Sequence, residues 1–352
     1  MRAARFHVHG GPEVFRYEEA PDPIVPVGWA LVRVRACALN HLDIWQRRGL
    51  DRVTIPMPHI SGADVAGEVV SANLDAAGAA HLDAAGVAPA AGTRVMLQPG
   101  TSCGVCDACR AGRENRCRKY DVLGYQSNGG YAEFIAVPIT SLIPIPAHID
   151  FVTAAAFPLT FVTAWHMLVT LAGVAAGDTV LVIAAGSGVG QAAIQIARAR
   201  GARVFATAGG EAKLARAREL GAVEVIDHYR QDITAEVRRL TSNRGVDIVV
   251  EHVGVATFEK GVKSLSVGGR LVTCGATTGF DARMDLRLLF AKQLSVIGSY
   301  MGTPSELLAA AEGLFDGTFR PVVDRTFPLA EAGEAHRALE SSSHFGKIVL
   351  LP

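Results

Sequence analysis

The sequence predicts an α/β protein of two domains, one irregular and β-rich, the other a doubly wound parallel sheet. Three observations predict it. The chain has 352 residues, a length that implies about two domains rather than one small core. Residues 1–150 carry short apolar runs broken by Gly and Pro, the texture of irregular β structure. From Thr179 onward the texture changes to strand–helix alternation, which implies repeated βα units and a parallel sheet. Apolar residues make up 49% and charged residues 19%, so the chain buries a large interior and is not disordered.

The β-rich part is read from "WALVRVRACAL", "VAGEVV", "TRVMLQPG" and "YAEFIAV". Within it, "SANLDAAGAAHLDAAGVAPAAG" (71–92) repeats "LDAAG" and reads as a surface loop enlarged by a short duplication. In the second part "TVLVIAA" is a continuous apolar run, as expected of a strand buried on both faces. Helix "GQAAIQIARARG", strand "RVFATA", helix "EAKLARAREL" closed by Gly221, and strand "EVIDH" follow. Helix "ITAEVRRLT", strand "VDIVVEH", helix "FEKGVKSL" and strands "GRLVTCG" and "LSVIGSY" complete six strands. The C-terminal helix and strand, ending "GKIVLLP", are placed back in the first domain. The expected division is 1–150 with 316–352, and 151–315.

Charge excludes some functions. Lys+Arg and Asp+Glu are 34 each, so no global field holds nucleic acid or an anionic membrane. No uncharged apolar run is long enough to span a bilayer, and "MRAARFHVHGGPE" lacks the apolar centre of a signal peptide. A cytoplasmic, reducing setting is expected, in which clustered cysteines read as metal ligands rather than disulfides.

Two motifs carry chemistry. Ala184-Ala185-Gly186-Ser187-Gly188-Val189-Gly190 joins the first strand to the first helix of the alternating part. Small residues there let a backbone approach a pyrophosphate, and the helix N-terminus favours its charge. A site preferring NADH usually ends its second strand with Asp or Glu, which bonds the ribose hydroxyls. Here the strand tip is Thr207-Ala208-Gly209-Gly210, with Lys213 a turn away and His228 ending the next strand. The missing carboxylate and nearby Lys213 favour NADPH over NADH, although Glu211 lies close. The second motif is Cys103-x2-Cys106-x2-Cys109-x7-Cys117, within a lobe at about 98–120. Four thiolates close a tetrahedral zinc shell and leave no position for substrate, so one structural Zn2+ per chain is expected.

With these parts in order, the chain resembles the medium-chain dehydrogenase/reductase superfamily over essentially its whole length. The resemblance implies a GroES-like catalytic domain, a Rossmann domain and an active site in the cleft between them. Its zinc alcohol dehydrogenases hold a catalytic metal at three places, and this chain has Asn40, Ala63 and Thr160 there. None of the three makes a zinc shell. Asn40-x-x-Asp43-x-x-x-Arg47-x-Gly49, then Gly62-Ala63-Asp64, is similar to the zinc-free quinone oxidoreductase and enoyl reductase branch.

The resemblance implies that Asn40 and Thr160 face the nicotinamide and the substrate oxygen, that Asp43 and Asp64 brace the site, and that Arg47 is their ion-pair partner. It implies that Gly254, Cys274, Gly275 and Ile297 line the cofactor, and that the sixth strand pairs with its twin in a homodimer, doubled in a homotetramer. Tyr125 is the candidate proton donor, with water as the other source. Arg47, Arg48 and Arg52 would form any basic patch for an acyl-CoA substrate. The expected activity is hydride transfer from NADPH to a quinone or an α,β-unsaturated carbonyl. Two alternatives stand: an alcohol dehydrogenase with a rearranged metal shell drawn from His41, His59 and Asp64, and an NADPH-binding structural or regulatory protein of low turnover.

Overall fold

The structure, a computed structural model, describes residues 1–50, 53–74 and 90–352. Residues 75–89, which hold most of the two LDAAG copies, and Arg52 lie outside the described residues. The chain divides into two compact units. The first is Met1–Leu159 with Thr303–Phe315 and Arg320–Pro352; the second is Thr160–Gly302 with Asp316–Phe319.

In the first unit the longest sheet is organised by strand Trp29–Ala38, whose side chains alternate between core and solvent along most of its length. Strand Asp64–Asn73 pairs with it antiparallel over nearly the whole of both, and Phe134–Pro138 pairs with its first half. Its second half is closed by the C-terminal strand Lys347–Leu351, with Val349 opposite Ala38 and Leu350 opposite Cys37. The C-terminal strand therefore belongs to the first unit. Val32, Val34, Cys37, Val65, Val95, Ile135, Ile348 and Leu350 form the core, covered on one side by Ala332, Ala335 and Leu339 of helix Ala332–Glu340.

The lobe leaves this unit through a short antiparallel pair, Gly100–Thr101 with Asp121–Val122. That pair brings the two ends of the excursion together. A one-turn helix, Asp107–Arg110, and a 3-10 turn, Glu114–Arg116, lie between them.

In the second unit six strands are all parallel. Their order is Glu224–Asp227, Arg203–Ala208, Thr179–Val182, Val246–Glu251, Leu265–Thr273, Ser295–Gly298. The direction of travel reverses at Thr179–Val182, so the strand ends there form the switch point at which such sheets bind ligands. All six strands read from the sequence are present. Helix Glu211–Leu220 ends at Gly221, whose φ of 115° is a conformation that favours glycine. Leu181, Ile183, Phe205, Val249 and Leu271 fill the core of this unit.

Candidate functional site

The phosphate turn sits between strand Thr179–Val182 and helix Gly188–Ala199. Ser187 caps the helix, its Oγ accepting from Gly190 N at 2.8 Å. A Cβ on Gly190 would lie 2.3 Å from Ala184 O, so only glycine lets the helix start this close to the strand. Gly188 and Val189 are in the first turn, where backbone N–H groups have no intrahelical carbonyl to reach. Those N–H groups and the shape of the turn fit a pyrophosphate.

Thr207 is fully buried and stitches the turn to the second strand. Its Oγ1 accepts from Ala184 N at 3.0 Å, and its carbonyl accepts from Ala185 N at 2.8 Å. It shapes the turn from behind. Lys213 lies in the first turn of helix Glu211–Leu220. His228 follows strand Glu224–Asp227; burial lowers its pKa, against the pull of Asp227, with Lys213 and Lys260 adding to the fall.

Two residues that sequence reasoning missed order the ends of the central strands. Glu251 is fully buried and accepts from Val253 N (2.9 Å), Gly254 N (3.0 Å) and Thr257 Oγ1 (2.6 Å). It thereby folds the loop that carries Gly254, where a Cβ would lie 2.4 Å from Gly279 O. His252 Nε2 is 3.1 Å from Ser187 Oγ, linking that strand end to the phosphate turn. Desolvation, followed by the Glu251 charge, pushes the Cys274 thiol up to about 12, which leaves it unreactive. Gly275 faces His252 O so closely that a Cβ there would lie at 2.8 Å. Ile297 is on the edge strand Ser295–Gly298, beside Val272 in register.

The first unit holds a buried polar cluster around Asn40, which precedes helix His41–Arg48. Lys347, 3% exposed, points its ammonium inward. It donates to Leu39 O (2.6 Å), Asn40 Oδ1 (2.7 Å) and Asp64 Oδ2 (2.9 Å). Asn40 Nδ2 donates to the same Asp64 oxygen at 2.9 Å. The other Asp64 oxygen accepts from Leu159 N at 2.7 Å, early in helix Pro158–Trp165. Both Asp64 oxygens are thus occupied.

Asp43 lies behind this cluster. Its Oδ2 accepts from Asn40 N (2.8 Å) and from the Tyr131 hydroxyl (3.0 Å). Burial lifts its carboxyl to about 6, opposed by these two donors. A hydrogen-bonded chain runs on from Tyr131 to His336 Nε2 (3.2 Å) and from His336 Nδ1 to Arg47 Nη1 (3.2 Å). Since Arg47 only donates, Nδ1 is the acceptor and Nε2 carries the imidazole hydrogen. Burial, then Arg47, holds the His336 pKa well below its ordinary value.

Arg47 departs from expectation. Its ion-pair partner is Glu340 rather than Asp43 or Asp64, because its guanidinium runs toward helix Ala332–Glu340. Tyr125, the candidate proton donor, has its pKa raised by burial and by Asp121. His59 does not turn toward Asp64. Its Nε2 donates to Gly124 O at 3.0 Å, and burial lowers its pKa. Among the described residues, the one group of three or more His, Cys, Asp or Glu able to hold a metal is Cys103, Cys106, Cys109 and Cys117. His41, His59 and Asp64 are not brought together as ligands.

In the lobe all four sulfurs lie within 4.8 Å of one another. Cys103 to Cys109 is 3.9 Å, Cys106 to Cys109 is 3.5 Å, and Cys117 to Cys103 is 3.5 Å. A tetrahedral shell with Zn–S of about 2.3 Å has edges of about 3.8 Å, so the four fit the ion. The backbone N–H groups of Val105 and Cys106 turn toward Cys103 and bring its thiol down to about 6, whereas Cys106 is pushed up to about 11.

Sheet, phosphate turn and thiolate lobe together define an oxidoreductase that binds NAD(P). Comparison with known proteins agrees. Residues 26–147 match the family described as alcohol dehydrogenase GroES-like domain, and 188–315 match zinc-binding dehydrogenase. Quinone oxidoreductase of Rattus norvegicus is 30% identical over 100% of this chain and 98% of its own length. An NAD-dependent alcohol dehydrogenase of Saccharolobus solfataricus is 29% identical, with 100% of both chains covered. A solved structure of an NAD-dependent alcohol dehydrogenase superposes with a TM-score of 0.93 at 43% identity, also over 100% of both chains. The chain belongs to the medium-chain dehydrogenase/reductase superfamily. No helix among the described residues is long and apolar enough to cross a membrane.

Proposed function

We propose that this chain is an NADPH-dependent reductase of quinones or α,β-unsaturated carbonyls that works without a catalytic zinc and keeps a structural one. The observation that carries the reading is the donor set around Asn40. Where the zinc alcohol dehydrogenases place metal ligands, this chain has Asn40, Ala63 and Thr160, and Asn40 is tied to an ammonium and a carboxylate.

The bound nicotinamide would supply the hydride. The chain's task is then to hold the cofactor and to stabilise the oxygen that gains charge. Gly186, Ser187, Gly188, Val189 and Gly190 hold the pyrophosphate. Lys213 and His228 take the 2′-phosphate, and Gly254, Cys274, Gly275 and Ile297 line the nicotinamide. The Asn40 amide and the Thr160 hydroxyl donate to the substrate oxygen. With two neutral donors instead of a metal, acceptors that spread charge over an enolate or a quinol are favoured. Asp43 and Asp64 act through Asn40, and water supplies the proton.

The identity to NAD-dependent alcohol dehydrogenases supports a second reading, oxidation of simple alcohols with NAD. Steady-state assays separate the two. Quinones and enals with NADPH should turn over at least about ten-fold faster, as kcat/KM, than simple alcohols with NAD(P)+. The reverse preference would favour the dehydrogenase. Tight NADPH binding with no turnover of either class would favour a binding protein. Sheet edge Ser295–Gly298 carries exposed Val296, with Tyr300 exposed just beyond it, which supports a homodimer through that strand.

A further inference from the structure

We infer that Lys347 is a positioning residue for the reaction: its buried ammonium fixes the Asn40 amide so that one N–H is left to donate to the substrate oxygen. The inference rests on the proposed role of Asn40 and extends it to a residue far away in sequence.

An ammonium has three N–H groups and no acceptor. Lys347 spends all three, on Leu39 O, Asn40 Oδ1 and Asp64 Oδ2. It therefore cannot reach a substrate itself. It does decide which way Asn40 faces, because only the amide oxygen can receive an ammonium hydrogen. The amide nitrogen must then lie toward Asp64, and it gives one hydrogen to Oδ2. The second hydrogen has no acceptor among the described residues. Asp64 is itself held from both sides, by Lys347 and by Leu159 N. Asn40 is thus clamped at both ends of its amide.

Charge strengthens the effect. A cation on the carbonyl end of an amide polarises it and makes its N–H a better donor. The positive charge that a metal would bring to the substrate oxygen directly is here applied one amide away. Reaction at an oxyanion gains from such a donor because it is already oriented before charge develops.

The test uses the double variant Lys347→Met/Asp64→Asn, which removes both charges together and leaves no buried ion unpaired. Two readouts are taken on the full chain. In protein labelled with 15N-asparagine the wild type gives five side-chain amide pairs and the double variant a sixth from position 64, and Asn40→Ala in each background identifies the one from Asn40. That pair should shift in the double variant while NADPH affinity stays within about two-fold of the wild type. In kinetics, kcat should fall by about 100-fold, as when one oxyanion donor is lost. The loss should also grow as the acceptor becomes harder to reduce, so the slope of log kcat against acceptor potential steepens. A purely structural role would not change that slope. An unmoved Asn40 signal, or a kcat within about three-fold with an unchanged slope, would overturn the inference. Should the wild type reduce neither quinones nor enones, the acceptor reading would fail by itself. The Asn40 signal would still decide whether the Lys347–Asp64 pair holds the amide.

Discussion

The lobe and the Asn40 cluster are two settings in one unit that suit a positive charge. The lobe collects four thiols near the surface, on a short excursion closed by a two-residue strand pair. All its ligands come from fifteen consecutive residues. The Asn40 cluster is assembled from a helix start, strand Asp64–Asn73, the residue Leu159 and the C-terminal strand. Its cation is an ammonium carried by the chain, set among two carbonyl oxygens and one carboxylate. The difference teaches that a local cation site needs an ion brought from outside, whereas a distributed one can be closed by a side chain. The first kind orders a loop; the second ties the chain's end to Asn40 and Asp64.

The contrast can be broken most severely at Lys347. Lys347→Met alone would leave Asp64 charged, fully buried and short of its counter-ion. A loss of roughly 3–5 kcal/mol is expected, read from urea unfolding; adding Asp64→Asn should recover most of it. A loss below about 1 kcal/mol would mean that the ion pair does not anchor this region.

The lobe responds differently. In Cys106→Ser, zinc should fall from about one per chain toward none, and the melting temperature should drop. Hydride transfer below the transition should persist within about three-fold, since a closed shell offers no position to substrate. Loss of turnover in a protein that stays folded would make the lobe more than structural.

The same comparison shows why some parts were legible in the sequence and others were not. The four cysteines and the phosphate turn are contiguous, so spacing alone reveals them. The six parallel strands are apolar runs of the right length between helices. Lys347 was available as a signal, a lysine leading the apolar strand "KIVLL", but its partners lie 283 to 308 residues away. His336 sits on the apolar face of its helix with Ala332, Ala335 and Leu339, and was hidden as one more core position. The resemblance pairs Arg47 with Asp43 and Asp64, whereas the fold brings Glu340 from the far end of the chain. Glu251 is a fully buried acid at a strand end, and only its loop of donors explains it.

Cofactor choice sharpens the reading in the second unit. Lys213→Ala should weaken NADPH binding by about 10- to 100-fold, the worth of a charge-assisted bond to phosphate. NADH binding should change by less than about three-fold. Equal losses for the two cofactors, measured by fluorescence titration, would remove the 2′-phosphate role.

The smallest effect concerns pH. The Asp43 carboxyl is lifted from 3.8 to about 6 in the folded chain. Folding therefore takes up a proton between those values, and this contribution to stability falls as pH rises through them. His336 has the opposite sign: its pKa is depressed, so its contribution is lost as pH drops through the unfolded histidine value. The two oppose one another under mild acid. Asp43→Asn removes only the first. Moving from about pH 7 to about pH 5, the variant should lose roughly 1 kcal/mol more than the wild type, read from denaturant midpoints. Parallel pH curves would place the Asp43 titration elsewhere.

The central claim is that one metal is kept and the other is replaced by the chain's own ammonium. Zinc per chain, by elemental analysis of protein purified without chelator or added metal, tests it most directly. About one zinc per chain is expected, lost together with any single lobe cysteine. About two per chain, with one surviving removal of the lobe cysteines, would contradict it and restore a catalytic metal.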